Sequence, residues 1–323
     1  MTEHPHHEHI SARAALQLMA PHTWVAAIAP VLLGVALAFG LGGFSAEPTT
    51  SQVIIVTHLM LITSIALQSA VNTFNDYSDF VSGADTAENV VDETDSSIIY
   101  NRLDPKAVLR FALILLAIAF ITGMILVMMS SWKLLILGLL GAAAVMLYSF
   151  GPKPIAYLPL GELVSGLVMG GIITVGTYLA LTKQFDPWIF AYALPVIIGV
   201  GIIMQINNTC DIEKDIEAGR KTLPILLGKE LSVQMIVWSS FLSLVIIALI
   251  GGVHFRAGLI AFALFAYPLI KNLAFLARDP YSIESRSTVM KVGAKQVALS
   301  IALLIAVVLL SILYSRMGNT YVI

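Results

Sequence analysis

Thirteen of the 20 acidic residues in this sequence fall into two stretches, residues 75–104 and 207–232. Each stretch follows an apolar segment and contains an Asn and an Asp four positions apart. Like charges four residues apart on a helix repel one another, and the negative end of the helix dipole adds to that repulsion. Both stretches should therefore bind something positive. Carboxylate and amide oxygens suit Mg²⁺, which keeps coordination positions for a substrate phosphate.

The first stretch places its polar groups at the end of the second apolar segment. If that segment continues as a helix, Asn75 and Asp79 lie on one face. Gly83 then allows the helix to end and the chain to turn, so that Asp85 can reach back. In the second stretch, the same spacing predicts one helical face for the set Asn207, Asp211 and Asp215. The candidate metal ligands are Asn75, Asp76, Asp79, Asp85, Asp211 and Asp215.

Two matched clusters favour metal–phosphate chemistry over simpler explanations. One pair of acids at a helix end is usually a solvated face or a cap. Two such clusters on the same side of the membrane could hold two or three Mg²⁺ ions, with a diphosphate bridging them. Basic residues that follow the second cluster, Arg220 and Lys221, would take the remaining diphosphate oxygens. The alternative is a metal or ion transporter, although transporters usually place such groups near the bilayer midplane.

Composition indicates an integral membrane protein. The chain has 323 residues, of which 58% are hydrophobic and 12% are charged, and its mean hydropathy is +0.88. A soluble fold has too little polar surface to cover so much apolar mass. The net charge of −2 gives no basic excess for nucleic acid. The single cysteine, Cys210, excludes an intrachain disulfide.

Nine apolar segments are long enough to cross a bilayer as helices, which requires about 20 residues each. The sequence therefore predicts an all-α membrane protein with nine transmembrane helices in one bundle and cytoplasmic active-site loops. The predicted segments are residues 22–43, 53–74, 107–129, 134–150, 162–182, 187–206, 233–253, 257–276 and 296–315.

Basic residues predict the orientation of the bundle. Fourteen of the 18 Lys and Arg residues fall in loops on the N-terminal side, which puts the N-terminus in the cytoplasm. Nine spans then put the C-terminus outside, in what we expect to be a bacterial plasma membrane. The long connections 75–106, 207–232 and 277–295 share the cytoplasmic face, where a site is most easily built.

The whole chain, residues 1–323, is expected to form a single domain after a flexible polar tail, residues 1–21. That tail carries a histidine cluster, His4, His6, His7 and His9, for which a surface metal site is the alternative to a tail without catalytic importance. The acidic segment 88–95 is either a solvated loop or a lid over the site. Glu162 is either a functional carboxylate at the membrane edge or a favourable charge at a helix N-terminus.

At these residues the sequence resembles the UbiA superfamily of membrane prenyltransferases. Members carry an Asn-Asp-x-x-Asp motif after the second helix and an Asp-x-x-x-Asp motif after the sixth, and the resemblance extends to nine helices. The corresponding residues here are Asn75-Asp76-Tyr77-Ser78-Asp79 and Asp211-Ile212-Glu213-Lys214-Asp215. Further stretches, such as Tyr148 to Pro154 and Gly219 to Leu223, are most similar to the branch that prenylates 1,4-dihydroxy-2-naphthoate.

The resemblance implies a Mg²⁺-dependent transfer of a polyprenyl group from its diphosphate to an aromatic acceptor, giving demethylmenaquinone in the naphthoate branch. Its implied catalytic residues are Asp79, Asp211, Asp215, Lys153 and Tyr148. Its implied diphosphate-binding residues are Asn75, Lys153, Arg220, Lys221, Asn207 and Asn208. The partners would be these two substrates and the lipid bilayer. Another acceptor within the superfamily (4-hydroxybenzoate, haem or a lipid alcohol) is the alternative. Gly83 departs from the benzoate branch, which has Asp there, and segment 88–102 lacks the basic residues of many relatives.

Overall fold

A computed structural model of the protein describes residues 9–86, 96–149 and 151–320. Within these ranges all regular structure is helical. The helices are α1 (Ala12–Met19), α2 (Val25–Leu41), α3 (Thr50–Ser82), α4 (Ser97–Tyr100), α5 (Pro105–Met129), α6 (Lys133–Ser149), α7 (Gly161–Thr182), α8 (Ile189–Cys210), α9 (Ile212–Glu217), α10 (Leu223–Leu227), α11 (Lys229–His254), α12 (Arg256–Leu276) and α13 (Arg286–Thr320).

The all-helical membrane fold is confirmed, and the count of nine spans is approximate. In the described part of the chain, seven helices are long and apolar enough to cross a membrane: α3, α5, α7, α8, α11, α12 and α13. An eighth span is possible if Ala12–Thr23 and Val25–Leu41, which meet at 54°, count as one. The predicted fourth span corresponds to α6, which is apolar but has only 17 residues.

The prediction of a flexible tail over residues 1–21 was wrong for Ala12–Met19, which forms α1. The Ser11 hydroxyl caps this helix by accepting a hydrogen bond from the Ala14 amide at 3.1 Å. Ala14 and Leu18 lie four positions apart, so both face the same side. There they are buried in a small cluster that includes Ile98. Of the other predicted features, His4, His6, His7 and segment 88–95 lie outside the described residues.

Close packing of α7 against α8 depends on glycine. A Cβ added at Gly166 would lie 2.5 Å from the Ile197 carbonyl oxygen, and one at Gly170 would lie 2.7 Å from the Ile197 Cα. Real side chains do not approach a backbone so closely, so only glycine permits this helix pair to meet. The start of α7 is thereby held beside the end of α8, where the second acidic cluster begins.

Helix α3 carries the first acidic cluster beyond the apolar part of the bundle. Its 33 residues span about 50 Å, compared with about 30 Å for the hydrocarbon core of a bilayer. Asn75 and Asp79 therefore remain helical and share a face, as predicted. The helix ends at Gly83, whose φ of 77° lies in the left-handed region that favours glycine.

The second acidic cluster does not form one continuous helix, so the prediction of a single face for Asn207, Asp211 and Asp215 was wrong. Helix α8 ends at Cys210, and Asp211 adopts φ −99° and ψ 13°, outside the α-helical region. The chain then resumes as α9, and the Asp215 amide still bonds to the Asp211 carbonyl at 2.8 Å. Lys214 on α9 pairs with Asp85, so α9 lies beside the turn that follows α3.

Candidate active site

The first cluster lines a cavity of about 240 Å³ at the end of the bundle. Asn75 and Asp79 reach it from the last turns of α3, and Asp85 reaches it after the turn at Gly83. The Asp85 amide donates to the Asp79 carbonyl oxygen at 3.1 Å, which closes the turn. The prediction that Asp85 reaches back towards the helix end is confirmed.

The two asparagines of the second cluster reach the same cavity, whereas Asp211 and Asp215 are not among the residues that line it. Asn207 and Asn208 on α8 line it directly. After α9, Gly219 adopts a φ of 70° and the chain reverses, so that the Arg220 amide bonds to the Asp215 carbonyl at 2.8 Å. The reversal brings the Arg220 side chain back into the cavity.

Arg220 connects the two clusters. Its Nη1 lies 3.2 Å from Asp215 Oδ1, and its Nη2 binds Asp79 Oδ1. The side chains of all three residues are at most 15% exposed. Burial raises the pKa of Asp215 to about 6, and the Arg220 guanidinium opposes that rise. Burial also lowers the pKa of Arg220, but Asp79 and Asp215 outweigh it and leave that pKa above its ordinary value.

Two further cations balance the remaining carboxylates. Lys214 Nζ lies 2.8 Å from Asp85 Oδ1, which joins α9 to the turn after α3. Arg286 at the start of α13 lies 3.0 Å from Asp211 through its Nε, and its Nη2 donates to the Asn207 side-chain oxygen at 2.8 Å. The described residues include no group of three acidic, His or Cys side chains arranged to hold a metal ion. Cations of the protein hold the carboxylates instead.

The opposite wall of the cavity is apolar. Aliphatic and thioether side chains from α6, α7 and α8 form it, among them Val145, Val168, Met169, Val200 and Met204. Tyr148 also lines the cavity, and its hydroxyl donates to Met204 Sδ at 3.4 Å. A molecule with a charged group at one end and an aliphatic chain at the other would therefore fit the cavity, with the charged group beside the polar wall and the chain beside the apolar wall.

Glu162 orients the second cluster. It is buried in the first turn of α7, where a negative charge is favourable, and its Oε1 accepts a hydrogen bond from Asn208 Nδ2 at 2.8 Å. The two interpretations of this residue are therefore compatible, because the charge at the helix start also fixes the Asn208 amide.

Comparison with known proteins identifies the family. The profile of the UbiA prenyltransferase family matches residues 27–293. The chain belongs to this family. It is 38% identical over 223 residues to the 1,4-dihydroxy-2-naphthoate octaprenyltransferase of Bacillus subtilis (strain 168), which covers 69% of this chain and 68% of that protein. The enzyme of the same name from Haemophilus influenzae is 33% identical over 216 residues, covering 64% and 67%.

Solved structures show the same fold. A UbiA homolog from Archaeoglobus fulgidus bound to GPP and Mg²⁺ aligns with a TM-score of 0.64 and 17% identity, covering 91% of this chain and 99% of that one. The apo UbiA homolog from Aeropyrum pernix K1 aligns with a TM-score of 0.59 and 18% identity, covering 93% and 98%. The predicted family, the membrane fold and the prenyltransferase class are thus confirmed.

Two predicted diphosphate ligands of this UbiA prenyltransferase lie outside the cavity. Lys153 and Lys221 are exposed and are not among the lining residues. Lys221 instead uses its backbone amide to bond to the Tyr157 carbonyl at 3.1 Å. The Tyr157 ring lies 5.2 Å from the Arg220 guanidinium carbon, so this contact supports the neighbouring arginine. The role of both lysines in binding diphosphate stays a prediction.

Sequence reasoning missed Lys214, which binds Asp85, and it also missed Arg286. In the sequence Arg286 reads as one of many basic residues that fix the orientation of the prenyltransferase in the membrane. Its partners, Asp211 and Asn207, lie more than 70 positions earlier, so no local spacing connects them. The available signal was its position at the start of the last long apolar helix, on the side where both acidic clusters lie.

Asp76 lines the same cavity as Asp79 and Asp85, but its carboxylate binds the segment that leads into α4. Its Oδ1 accepts from the Ser96 hydroxyl at 2.9 Å and from the Ile98 amide at 3.4 Å, and its Oδ2 accepts from the Ser97 amide at 2.9 Å. Both carboxylate oxygens are therefore used to hold the start of α4. This arrangement suits an anchor for the segment after the first acidic stretch better than a metal ligand.

Replacement of Asp76 by Ala should loosen that segment. Loss of hydrogen bonds to a buried carboxylate costs about 1–3 kcal/mol, so amide exchange over Ser97–Tyr100 should accelerate about 10- to 100-fold. Hydrogen exchange of the purified protein in detergent, followed by mass spectrometry, measures this. Glu213→Ala, which removes an exposed acid on α9, is the matched control and should leave that exchange unchanged. If the exchange is unaltered in Asp76→Ala and the Mg²⁺ requirement changes, Asp76 is a metal ligand, as the sequence predicted.

Proposed function

We propose that this prenyltransferase transfers a polyprenyl group from its diphosphate to 1,4-dihydroxy-2-naphthoate and so forms demethylmenaquinol, whose oxidation to demethylmenaquinone is a separate two-electron reaction. The observation that carries prenyl-diphosphate chemistry is the contact of Arg220 with both Asp79 and Asp215, in a cavity whose other wall is apolar. The choice of acceptor is supported by the names of the Bacillus and Haemophilus relatives. It is also supported by the stretch from Asn75 to Thr86, which resembles the naphthoate branch.

The residues at this site fit Mg²⁺. The donors are oxygen atoms of carboxylates and amides. Asn75, Asp79 and Asp85 line the cavity, and the second cluster adds Asp215 and Asp211, which bind the lining residues Arg220 and Arg286. Mg²⁺ is usually bound by one or two carboxylates together with substrate phosphate, so a preformed cage of three acids is not required. Asn75, Asp79, Asp211 and Asp215 would hold the ions, with Asp85 beside them. Bound Mg²⁺ would neutralise the diphosphate and make it a better leaving group.

Cations of the protein would bind the diphosphate once the carboxylates have metal partners. Arg220, Lys214 and Arg286 are all paired with acids of the two clusters. If those acids held Mg²⁺, the same three side chains would be available to the diphosphate oxygens. The planar guanidinium of Arg220 can bind two such oxygens at once. Asn207 and Asn208 would add neutral donors to the same group.

The apolar wall would receive the prenyl chain and exclude water. The bond between the allylic carbon and the diphosphate oxygen breaks, and the electron pair leaves with the diphosphate. An electron-rich ring carbon of the acceptor forms the new bond to the allylic carbon, and that ring regains aromaticity by losing a proton or its carboxylate. Val168, Met169 and Met204 would place apolar atoms around the allylic carbon, which would limit capture of the allylic cation by water. The Tyr148 ring could stabilise that cation through its π-face.

The site would face the cytoplasm of a bacterial cell. The excess of basic residues in the N-terminal-side loops supports this orientation, with the C-terminus outside. The whole chain would act as a single domain, since the two acidic clusters and Arg286 come from widely separated parts of it.

Purified protein in vesicles should prenylate 1,4-dihydroxy-2-naphthoate when it is given a polyprenyl diphosphate and Mg²⁺. The reaction should stop when EDTA removes Mg²⁺. Product is identified by mass spectrometry, and 4-hydroxybenzoate is the competing acceptor. Transfer to 4-hydroxybenzoate alone would contradict the acceptor and retain the reaction class. Product formation that survives EDTA would contradict the metal. Metal flux into the vesicles without any prenyl transfer would favour the transporter alternative.

A further inference from the structure

Two neighbouring asparagines at the end of α8 are held by side chains of opposite charge. Asn207 Oδ1 accepts a hydrogen bond from Arg286 Nη2 at 2.8 Å. Asn208 Nδ2 donates to Glu162 Oε1, also at 2.8 Å. Both asparagines line the reaction cavity, whereas Glu162 is not among the residues that line it. The protein therefore uses opposite ends of the two amides.

The chemistry of each partner decides how its asparagine is turned. A guanidinium carries only donors, so Asn207 must turn its oxygen towards Arg286. A carboxylate oxygen accepts, so Asn208 must turn its nitrogen towards Glu162. Among the residues that the structure describes, none bonds to the other end of either amide. Asn207 is therefore left with N–H groups for a ligand, and Asn208 is left with an oxygen on the side away from Glu162.

The Glu162 carboxylate has no cation beside it in the described part of the chain. The residue is only 7% exposed, and its Oε2 has no hydrogen-bond partner there. A buried carboxylate without a paired cation is costly. A positive ion at the far side of the Asn208 amide would offset that cost. The surroundings of the Asn208 oxygen therefore favour a metal ion over an anion.

Close helix packing fixes Glu162 relative to Asn208. A Cβ added at Gly201 on α8 would lie 3.2 Å from the Glu162 carbonyl oxygen, so the first turn of α7 lies directly against α8. The two partners of the hydrogen bond thus belong to helices that are in contact close to the bond itself. The Asn208 amide is held in this orientation before any ligand binds.

We propose that Glu162 is a positioning residue of the metal site, which turns the Asn208 amide so that Oδ1 binds a Mg²⁺ ion of the diphosphate complex. A carboxylate that accepts a hydrogen bond from a metal ligand orients that ligand and makes it more basic. Asn208 keeps a second N–H for the diphosphate, so the metal contact is additional to that role. Arg286 turns Asn207 the other way, as an N–H donor only.

This inference rests on the proposed metal and diphosphate chemistry and does not depend on the acceptor. It adds an amide oxygen to the second cluster, in which the Asp211 carboxylate binds Arg286 and the Asp215 carboxylate binds Arg220. Oxygen atoms of side-chain amides are ordinary ligands for hard cations such as Mg²⁺. Each cluster would then present one asparagine oxygen to the metal, from Asn75 in the first and from Asn208 in the second.

The test measures binding of Mn²⁺ alone, as a paramagnetic substitute for Mg²⁺, to the purified protein in detergent by electron paramagnetic resonance. Glu162→Gln should raise the Kd for Mn²⁺ about tenfold, because a neutral amide can present either end and no longer fixes Asn208. Asn208→Ala should raise this Kd at least as much. Glu162→Gln combined with Asn208→Ala should bind Mn²⁺ no more weakly than Asn208→Ala, since Glu162 acts through Asn208.

A second double variant tests the orientation of the amide directly. In Glu162→Gln combined with Asn208→Asp, the new glutamine can donate to one oxygen of the new aspartate and leave the other oxygen for the metal. The Kd for Mn²⁺ should return to within about threefold of wild type. A role of Glu162 confined to the stability of α7 would not give this recovery. The melting temperature in EDTA, measured for every variant, reports that stability separately.

Glu230→Gln is the matched control. Glu230 is an exposed acid in the first turn of α11, so this change also removes a negative charge from the start of a membrane-spanning helix. It should leave the Kd for Mn²⁺ unchanged. Asn207→Ala should leave that Kd unchanged as well, and it should raise the concentration of inorganic pyrophosphate needed to bind the Mn²⁺-loaded protein about three- to tenfold.

Unchanged Mn²⁺ binding in Asn208→Ala would overturn the assignment, even if Glu162→Gln is poorly folded. Independent effects of Glu162→Gln and Asn208→Ala, which multiply in the double variant, would mean that Glu162 does not act through Asn208. If the wild type binds no Mn²⁺ and prenyl transfer survives EDTA, the metal chemistry of the proposed function fails together with this inference. Transfer to an acceptor other than the naphthoate contradicts the proposed function alone, and the role of Glu162 stands.

Discussion

Replacement of Asp79 by Asn is expected to lower kcat/KM for the prenyl diphosphate by about a thousandfold. The substitution keeps the size of the side chain and removes its negative charge. The lost carboxylate is one of the proposed metal ligands. It is also one of the two carboxylates that Arg220 bridges. Loss of a single preorganised electrostatic contact at a reacting group typically costs about 10²–10³ in rate, and a metal ligand adds the loss of the ion itself.

Asp215→Asn should reproduce this loss, because Asp215 binds the other side of the same guanidinium. The double variant should be only slightly worse than either single one, since residues that act as a unit are not additive. Steady-state assays across a range of Mg²⁺ concentrations measure the effect, and higher Mg²⁺ should recover part of the activity. Glu217→Gln, at an exposed acid two positions from Asp215, should behave like wild type. An Asp79→Asn enzyme with more than a tenth of normal activity would contradict the proposed metal site.

The helical architecture and the first cluster were predictable because their signals are local. Hydropathy over about 20 residues marks each span, whatever the rest of the chain does. The helical spacing of Asn75 and Asp79 depends only on α3 continuing past the membrane, and Gly83 marks its end. Asn207 and Asn208 could be predicted to lie in the same cavity because the second cluster has the same Asn and Asp spacing as the first.

The features that sequence reasoning missed depend on partners far away in the chain. Asp211 lies just after the end of α8, and its carboxylate binds Arg286. The Asp76 carboxylate accepts hydrogen bonds from backbone amides that include that of Ser97. Nothing in the spacing of either motif encodes these contacts. Helix α1 was missed for a related reason, because its short apolar face is recognisable only once Ile98 is known to pack against it.

Basic residues next to a motif were the least predictable. Arg220 and Lys221 are neighbours in the sequence, and both were expected to bind diphosphate. The turn at Gly219 and the hydrogen bond from the Lys221 amide to Tyr157 send the two side chains to different places. Arg220 enters the cavity, whereas Lys221 is exposed.

The second large effect is expected for Arg220→Gln, and it concerns stability as well as rate. This change leaves Asp79 and Asp215 without the cation that they share, although both are nearly buried. Removal of one partner from a buried ion pair typically destabilises a protein by about 3–5 kcal/mol. The melting temperature of the variant in detergent with EDTA should therefore fall by several degrees. Its kcat should fall about 100-fold or more, because the guanidinium no longer binds the leaving diphosphate.

Mg²⁺ with inorganic pyrophosphate should remove much of this loss of stability, and that recovery separates the proposed role of Arg220 from a purely structural one. The added ions supply positive charge to Asp79 and Asp215 in place of the missing guanidinium, whereas the rate stays low because the metal does not replace the lost contact to diphosphate. Arg220→Lys should be intermediate, since an ammonium group lacks the fork that spans two carboxylates. Arg278→Gln, which makes the same change at an exposed arginine between α12 and α13, should alter neither quantity. If the melting temperature of Arg220→Gln does not respond to Mg²⁺ and pyrophosphate, the two acidic clusters do not bind the metal together. The proposal that metal ions replace the protein's own cations at these carboxylates would then be wrong.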